Sequence, residues 1–241
     1  FYNANNKFFN NSSLIVQQQQ SNFFNSRWEK IYAICKQKFK NSIEGKSIFD
    51  IGFGFGQSLM FFRDKKNMKV SGIEPSIEGH KYAESKDIKS YNLGIDNLYD
   101  FKLEEKSDIV MLLNVLEHLR DPFATLNLIS NKILKKNGLL VIEVPNDFNT
   151  FQDVANKEFD LDRWWVVAPN HINYFSPKSL FFLLEKCGFE IFEYHTSFPL
   201  ELFLLFGDNY VRNREVGKVC HEKRVNFERL MIKHNKQDKL N

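Results

Sequence analysis

The chain has 241 residues, 33 of them Lys or Arg and 30 Asp or Glu, for a net charge of +3. That length suits one large domain, or one domain with appendages, and so even a balance excludes a chain built to grip nucleic acid or an anionic membrane. The cysteines, Cys35, Cys187 and Cys220, are isolated and odd in number, which excludes a disulfide framework or a zinc knuckle and fits a reducing compartment, the cytoplasm by default.

Residues 1–20 are polar, rich in Asn and Gln, and read as a flexible arm. From Asn22 to Phe39, apolar residues including Trp28, Ile31, Tyr32 and Ile34 recur at helical spacing. An alternating series follows. Strand 46–51 precedes a glycine loop and a short helix; strand 68–73 ends at Glu74-Pro75 and a helix covers 76–86; a weaker strand, 88–92, leads to Ile95-Asp96; strand 108–113 is strongly apolar. Asp121-Pro122 opens a helix to about Lys135, because Asp caps and Pro suits the first turn. Asn137-Gly138 stops it, and strand 139–144 leads to Pro145-Asn146. Residues 147–175 show no clear period; a helix runs from Ser176-Pro177 to Lys186, Gly188 stops it, and strand 189–195 follows. Residues 199–206 are very apolar, expected to be buried or to face a second copy, and a charged amphipathic helix covers 214–235.

Strands alternating with helices predict a doubly wound, Rossmann-like α/β fold with a mostly parallel sheet, followed by a helical C-terminal extension over 196–241. No apolar run is long enough to cross a membrane, and the N-terminus has no signal pattern. Both ends read as incomplete: the chain opens at Phe1, and no final strand is found after 195.

The chemistry concentrates at Asp50-Ile51-Gly52-Phe53-Gly54-Phe55-Gly56. A strand ends in an acid, and glycines at every second position let the backbone turn sharply and pass close to a ligand. The dinucleotide fingerprint would need glycine at Gln57. The spacing therefore favours a nucleoside-type cofactor lying on the loop over a pyrophosphate at the helix end. Among candidate bases, His171 follows Pro169-Asn170 in the irregular segment, where a positioned His could take a proton from a hydroxyl; the plainer reading is that it holds its loop. Glu117-His118 could serve the same chemistry, or brace the end of the fourth strand. Trp164, Trp165, Tyr174 and Phe175 could line an acceptor pocket or pack a lid.

Together with Gly72-Ile73-Glu74-Pro75-Ser76, Asn114-Val115-Leu116-Glu117-His118 through Asp121-Pro122, and Asn137-Gly138 through Pro145-Asn146, this loop resembles the class I S-adenosylmethionine (SAM)-dependent methyltransferases. Pro169-Asn170-His171 to Phe175-Ser176-Pro177, with Cys187-Gly188-Phe189, resembles the branch of ubiquinone-type and sugar- or polysaccharide-associated enzymes. The resemblance covers about residues 45–195, and 21–195 is expected to be the methyltransferase domain.

It implies SAM as cofactor and S-adenosylhomocysteine as product. It also implies roles by position: Gly52, Phe53, Gly54 and Gly56 around the methionine part, Asp50 orienting its amino group, Glu74 with Pro75 at the ribose, Ile95 and Asp96 at the adenine, and Asn114 at the methionine end. Related enzymes use Glu-x-x-Glu-His, with a further His from a later loop, for a divalent metal. Asn114 replaces the first Glu here, leaving Asn114, Glu117, His118 and His171 as a set weakened for a hard cation. The plainer reading is that Glu117 and His118 brace the fourth-strand loop, and no metal is expected. The implied acceptor is a small molecule, a hydroxyl of a sugar, sugar nucleotide or glycan intermediate, with a phenolic or quinone-like molecule as the alternative. From another class, the fold could be catalytically silent and bind a partner protein.

Overall fold

The computed structural model describes residues 21–234, so the polar arm lies outside the described residues. Five strands, β1 (Ser47–Ile51), β2 (Lys69–Ile73), β3 (Lys89–Tyr91), β4 (Ser107–Leu113) and β5 (Leu134–Glu143), form one sheet in the order β3-β2-β1-β4-β5. Every pairing is parallel. Strand order reverses at β1, so the crevice between the carboxyl ends of β1 and β4 is the switch point at which such sheets take ligands.

Helices α1 (Ser21–Lys38), α2 (Gln57–Lys66), α3 (Ile77–Glu84) and α4 (Pro122–Leu128) accompany the sheet. Ile48, Ile109 and Met111 from the central strands, Leu59 and Phe62 from α2, and Trp28, Ile31 and Cys35 from α1 share one buried apolar cluster. Such burial is what a parallel sheet covered by helices requires. Trp28 packs 5.4 Å from the Phe61 ring, and Arg27 Nε lies 2.6 Å from Glu143 Oε2, which fixes α1 against β5.

Three expectations are corrected. Helix α4 ends at Leu128 and passes through a π turn, Ile129–Ile133, straight into β5. The Asn137-Gly138 pair is therefore not a helix stop. It stands in an irregularity of β5, where pairing moves from Ser107↔Leu134 to Ile109↔Leu139. Asp108 anchors this place: Lys135 Nζ lies 2.9 Å and Lys46 Nζ 3.3 Å from its carboxylate, and the Ser47 N–H donates to it at 3.0 Å. Although burial raises its pKa, these partners bring it well below the usual carboxylate range. Second, residues 189–195 form no strand. Their alternation marks two faces but supplies no neighbouring edge, and a strand exists only through its ladder. Third, the segment without a visible period contains helix α5 (Thr150–Glu158), opened by a capping box in which the Asn149 side chain and Gln152 bond each other's backbone N–H.

The chain divides into two compact units, residues 1–144 with 186–188, and residues 145–185 with 189–241. The second holds α5, most of α6 (Pro177–Lys186), α7 (Glu201–Leu205) and α8 (Arg214–Lys233). Within it the apolar stretch before and through α7 is partly internal: Phe198 lies 5.7 Å from Phe203 and 5.0 Å from Phe227, while Phe206 is exposed. Among the described residues no helix is long and apolar enough to cross a membrane.

Candidate functional site

β1 runs buried from Ile48 to Ile51 and delivers Asp50 to its carboxyl end with only 2 % of its surface exposed. One carboxylate oxygen, Oδ2, accepts from Ser58 Oγ on α2 at 2.6 Å; the other, Oδ1, is buried without a partner among the described residues. Burial pushes this carboxyl up to about 7, Ser58 and Arg27 oppose the shift, and Glu74 adds to it. An orphaned buried acceptor of this kind marks a place where a donor is missing.

The chain then turns through Gly52, Gly54 and Gly56, all with positive φ (75°, 62° and 70°). At Gly52 a β-carbon would also meet Val115 Cγ2 at 2.8 Å, so both backbone sign and space demand glycine there. The Gly52 N–H donates to Ile73 O at 2.9 Å, tying the start of the loop to the end of β2.

Glu74, directly after β2, is the second buried acid, 2 % exposed. Its Oε2 accepts from the Gly54 N–H and its Oε1 from the Ser76 N–H, each at 2.8 Å. Burial raises its pKa to about 7 against these two amides. The carboxylate thus holds the glycine loop and the entry of α3 together. Each oxygen keeps a second lone pair for a further donor. Asn92 Nδ2 donates to the carbonyls of Glu74 (2.9 Å) and Pro75 (3.1 Å), so the end of β3 steadies the same corner. Ile95 is half-buried and Asp96 exposed on the 3-10 turn Ile95–Tyr99. Asn114 follows β4 in left-handed backbone (φ 58°), exposed, its N–H donating to Glu143 O at 2.8 Å.

Phe53 departs from its expected place. Its side chain belongs to the apolar core, 7 % exposed, and a β-carbon on Gly72 would come within 2.8 Å of its ring. Sequence reasoning also passed over Ser58 and Asn92. A serine one residue into the helix after a glycine loop, and an asparagine ending the third strand, carry no pattern apart from the acids they serve.

Glu117 and His118 sit on the 3-10 turn Leu116–His118 after β4, the acid 1 % exposed, with His118 Nε2 3.8 Å from Glu117 Oε1. His171 belongs to the second unit. There its N–H donates to Val167 O at 3.2 Å and its carbonyl accepts from the Tyr174 hydroxyl at 3.2 Å, which in turn accepts from the Val167 N–H at 3.1 Å.

A family model described as a methyltransferase domain matches residues 26–194. A curated relative, N-methyltransferase 4 of Papaver somniferum, is 23% identical over 180 residues, 71% of this chain and 48% of the relative, so the match spans about half of that protein's length. Among solved structures, a SAM dependent methyltransferase from Archaeoglobus fulgidus superposes with a TM-score of 0.51 at 21% identity, covering 84% of this chain and 88% of that one. The plantazolicin methyltransferase BpumL, solved with a pentazolic desmethylPZN analog and SAH, gives 0.58 at 18% identity, covering 83% and 81%. At such identity the solved structures establish the fold, and the family model, which matches well over half of the sequence, establishes descent: the chain belongs to the family of proteins that carry this methyltransferase domain.

Proposed function

We propose that this chain transfers a methyl group from SAM to a small-molecule acceptor. The observation that carries this reading is the orphaned, buried Asp50 Oδ1 at the switch point, beside a loop of left-handed glycines. Bound SAM would supply a methyl group on a positively charged sulfur, and with it an α-ammonium group. A buried acceptor with no donor fits that ammonium, and the cationic charge favours the ionised forms of both Asp50 and Glu74. In this reading Asp50 orients the amino group, the free lone pairs of Glu74 take the ribose hydroxyls, the 3-10 turn at Ile95 and Asp96 borders the adenine, and Asn114 borders the methionine end. The protein's task is chiefly alignment of acceptor and methyl.

For a hydroxyl of a sugar or glycan intermediate, the residues proposed to take the proton are His171 first, then His118 with Glu117. A nitrogen acceptor is a second reading, favoured by the match to a relative named as an N-methyltransferase. Calorimetric titration of the purified chain with SAM, S-adenosylhomocysteine and NAD tests the cofactor. Saturable binding of the first two alone is expected, because Gln57 stands where the dinucleotide fingerprint needs glycine. Binding of NAD, or of none of the three, would sink the proposal.

A further inference from the structure

A second cluster of polar groups is built entirely within residues of the second unit. Asp147 follows Pro145-Asn146; its N–H donates to Phe175 O at 2.8 Å, next to an isolated parallel bridge between Asn146 and Phe175. Its side chain is 3 % exposed, and Oδ2 has no partner among the described residues. Glu201 opens α7, half-buried, and its Oε1 accepts from Gln152 Nε2 of α5 at 3.0 Å. Burial first, and the charge of Glu201 second, push Asp147 up to about 6; the phenol of Tyr210 is raised by burial and by the same Glu201. The Trp165 indole N–H is likewise buried without a partner.

Aromatic rings cluster within the same unit, one of them the chain neighbour of Asp147. Phe148, next to Asp147, lies 5.8 Å from Trp165 and 5.9 Å from Tyr174, and Trp164 packs 4.7 Å from Trp165. The Arg163 guanidinium already sits 5.7 Å over the Phe148 ring. Arg224, whose charge reaches Tyr210, stands 4.0 Å from Glu228 one turn along its own helix.

A buried carboxylate oxygen without a donor is costly and calls for one. Two neighbouring acids disfavour each other's charge, and a cation relieves this where a neutral hydroxyl does not. Aromatic faces add attraction for the same cation. We infer that this cluster recognises an amine on the methyl acceptor, with Asp147 and Glu201 accepting from its ammonium group and Phe148, Trp165 and Tyr174 forming the apolar wall. The inference rests on the methyl-transfer reading above and narrows its acceptor to an amine-bearing small molecule.

The test uses the full chain at pH 7 and pairs of probes that differ only in the amine: glucosamine against glucose, and benzylamine against benzyl alcohol. Binding is followed by the fluorescence of Trp164 and Trp165 and by calorimetry. The amine of at least one pair should bind about tenfold or more tightly than its hydroxyl twin, the worth of a charge-assisted hydrogen bond. Asp147→Asn, nearly isosteric, should abolish that preference, and Glu201→Gln, at a half-buried position, should reduce it without touching the buried acid. Equal binding within both pairs, no binding of either amine, or a preference that survives in both folded variants would overturn the inference. Titration with SAM is read separately: a chain that prefers the amines but ignores SAM fails the methyl-transfer reading, not the recognition site.

Discussion

At the residue scale the proposed cofactor corner is a problem of two buried acids. Asp50 and Glu74 each hold a proton up to about pH 7 in the folded chain, whereas unfolded they release it near 3.8 and 4.5. The folded state therefore binds more protons than the unfolded one between about pH 4 and pH 7, and their contribution to stability, complete below that window, is lost as pH rises through it. For Asp50 this amounts to a few kcal/mol, because each pH unit between the folded and unfolded titrations is worth about 1.4 kcal/mol. Asp50→Asn removes its share, so the difference in melting temperature, variant minus native, should grow more positive from pH 4.5 to pH 8; a difference that stays flat would show Asp50 ionised throughout. The acids were legible in the sequence because each ends a strand. Their supports were not: the Ser58 hydroxyl and the Asn92 amide matter through 2.6 Å and 2.9 Å hydrogen bonds that pattern alone does not reveal. Asp147 escaped for the same reason, since an acid after Pro-Asn looks like any loop acid until its burial is known.

At the element scale, periodicity located the strands well and their ends less well. β1 and β4 are short, largely apolar runs that the parallel sheet buries, and β2 is buried at its carboxyl end, Gly72 and Ile73. Residues 189–195 carry a similar alternation and form no strand, because alternation says nothing of an available edge. Helix α4 passes into β5 without the turn that Asn137-Gly138 suggested; the glycine serves a break in the ladder instead. Close packing between elements explains another glycine. Gly72 faces Asp50 across the β1–β2 register, where a β-carbon would stand 2.3 Å from Asp50 O and 2.8 Å from the Phe53 ring. Backbone cannot yield cheaply there, so Gly72→Ala should cost about 1–3 kcal/mol, read as a lower urea midpoint with an unchanged slope. It should also weaken SAM binding by displacing the strand end that carries Asp50. A native-like midpoint would mean that the two strands separate easily, against the buried packing described.

At the scale of the whole molecule, the sequence conveyed the doubly wound fold because its signals are redundant: alternating elements, a glycine turn after the first strand and acids at successive strand ends agree with one another. It conveyed little of the second unit, where α5 is marked only by its capping box and the polar cluster is assembled from segments more than 50 residues apart in sequence, Asp147 and Glu201. In the proposed function Glu74 joins the fold to the cofactor: it bonds the Gly54 and Ser76 amides and in the complex would add the ribose. A ligand that binds only the folded chain stabilises it by about 2.7 kcal/mol at a hundred times its Kd. For a chain of this size that is a rise of roughly 5–10 °C in Tm. S-adenosylhomocysteine should produce such a rise in calorimetry and slow hydrogen exchange at Gly54 and Ser76. In Glu74→Ala both amides lose their acceptor, a cost of about 1–3 kcal/mol for the buried Ser76 donor and less for the part-buried Gly54. The variant should accordingly melt lower without ligand and shift little with it, whereas Glu74→Gln, which keeps one acceptor oxygen, should fall between. A full shift in Glu74→Ala would leave Glu74 as a brace of the loop alone and move the ribose to another side chain.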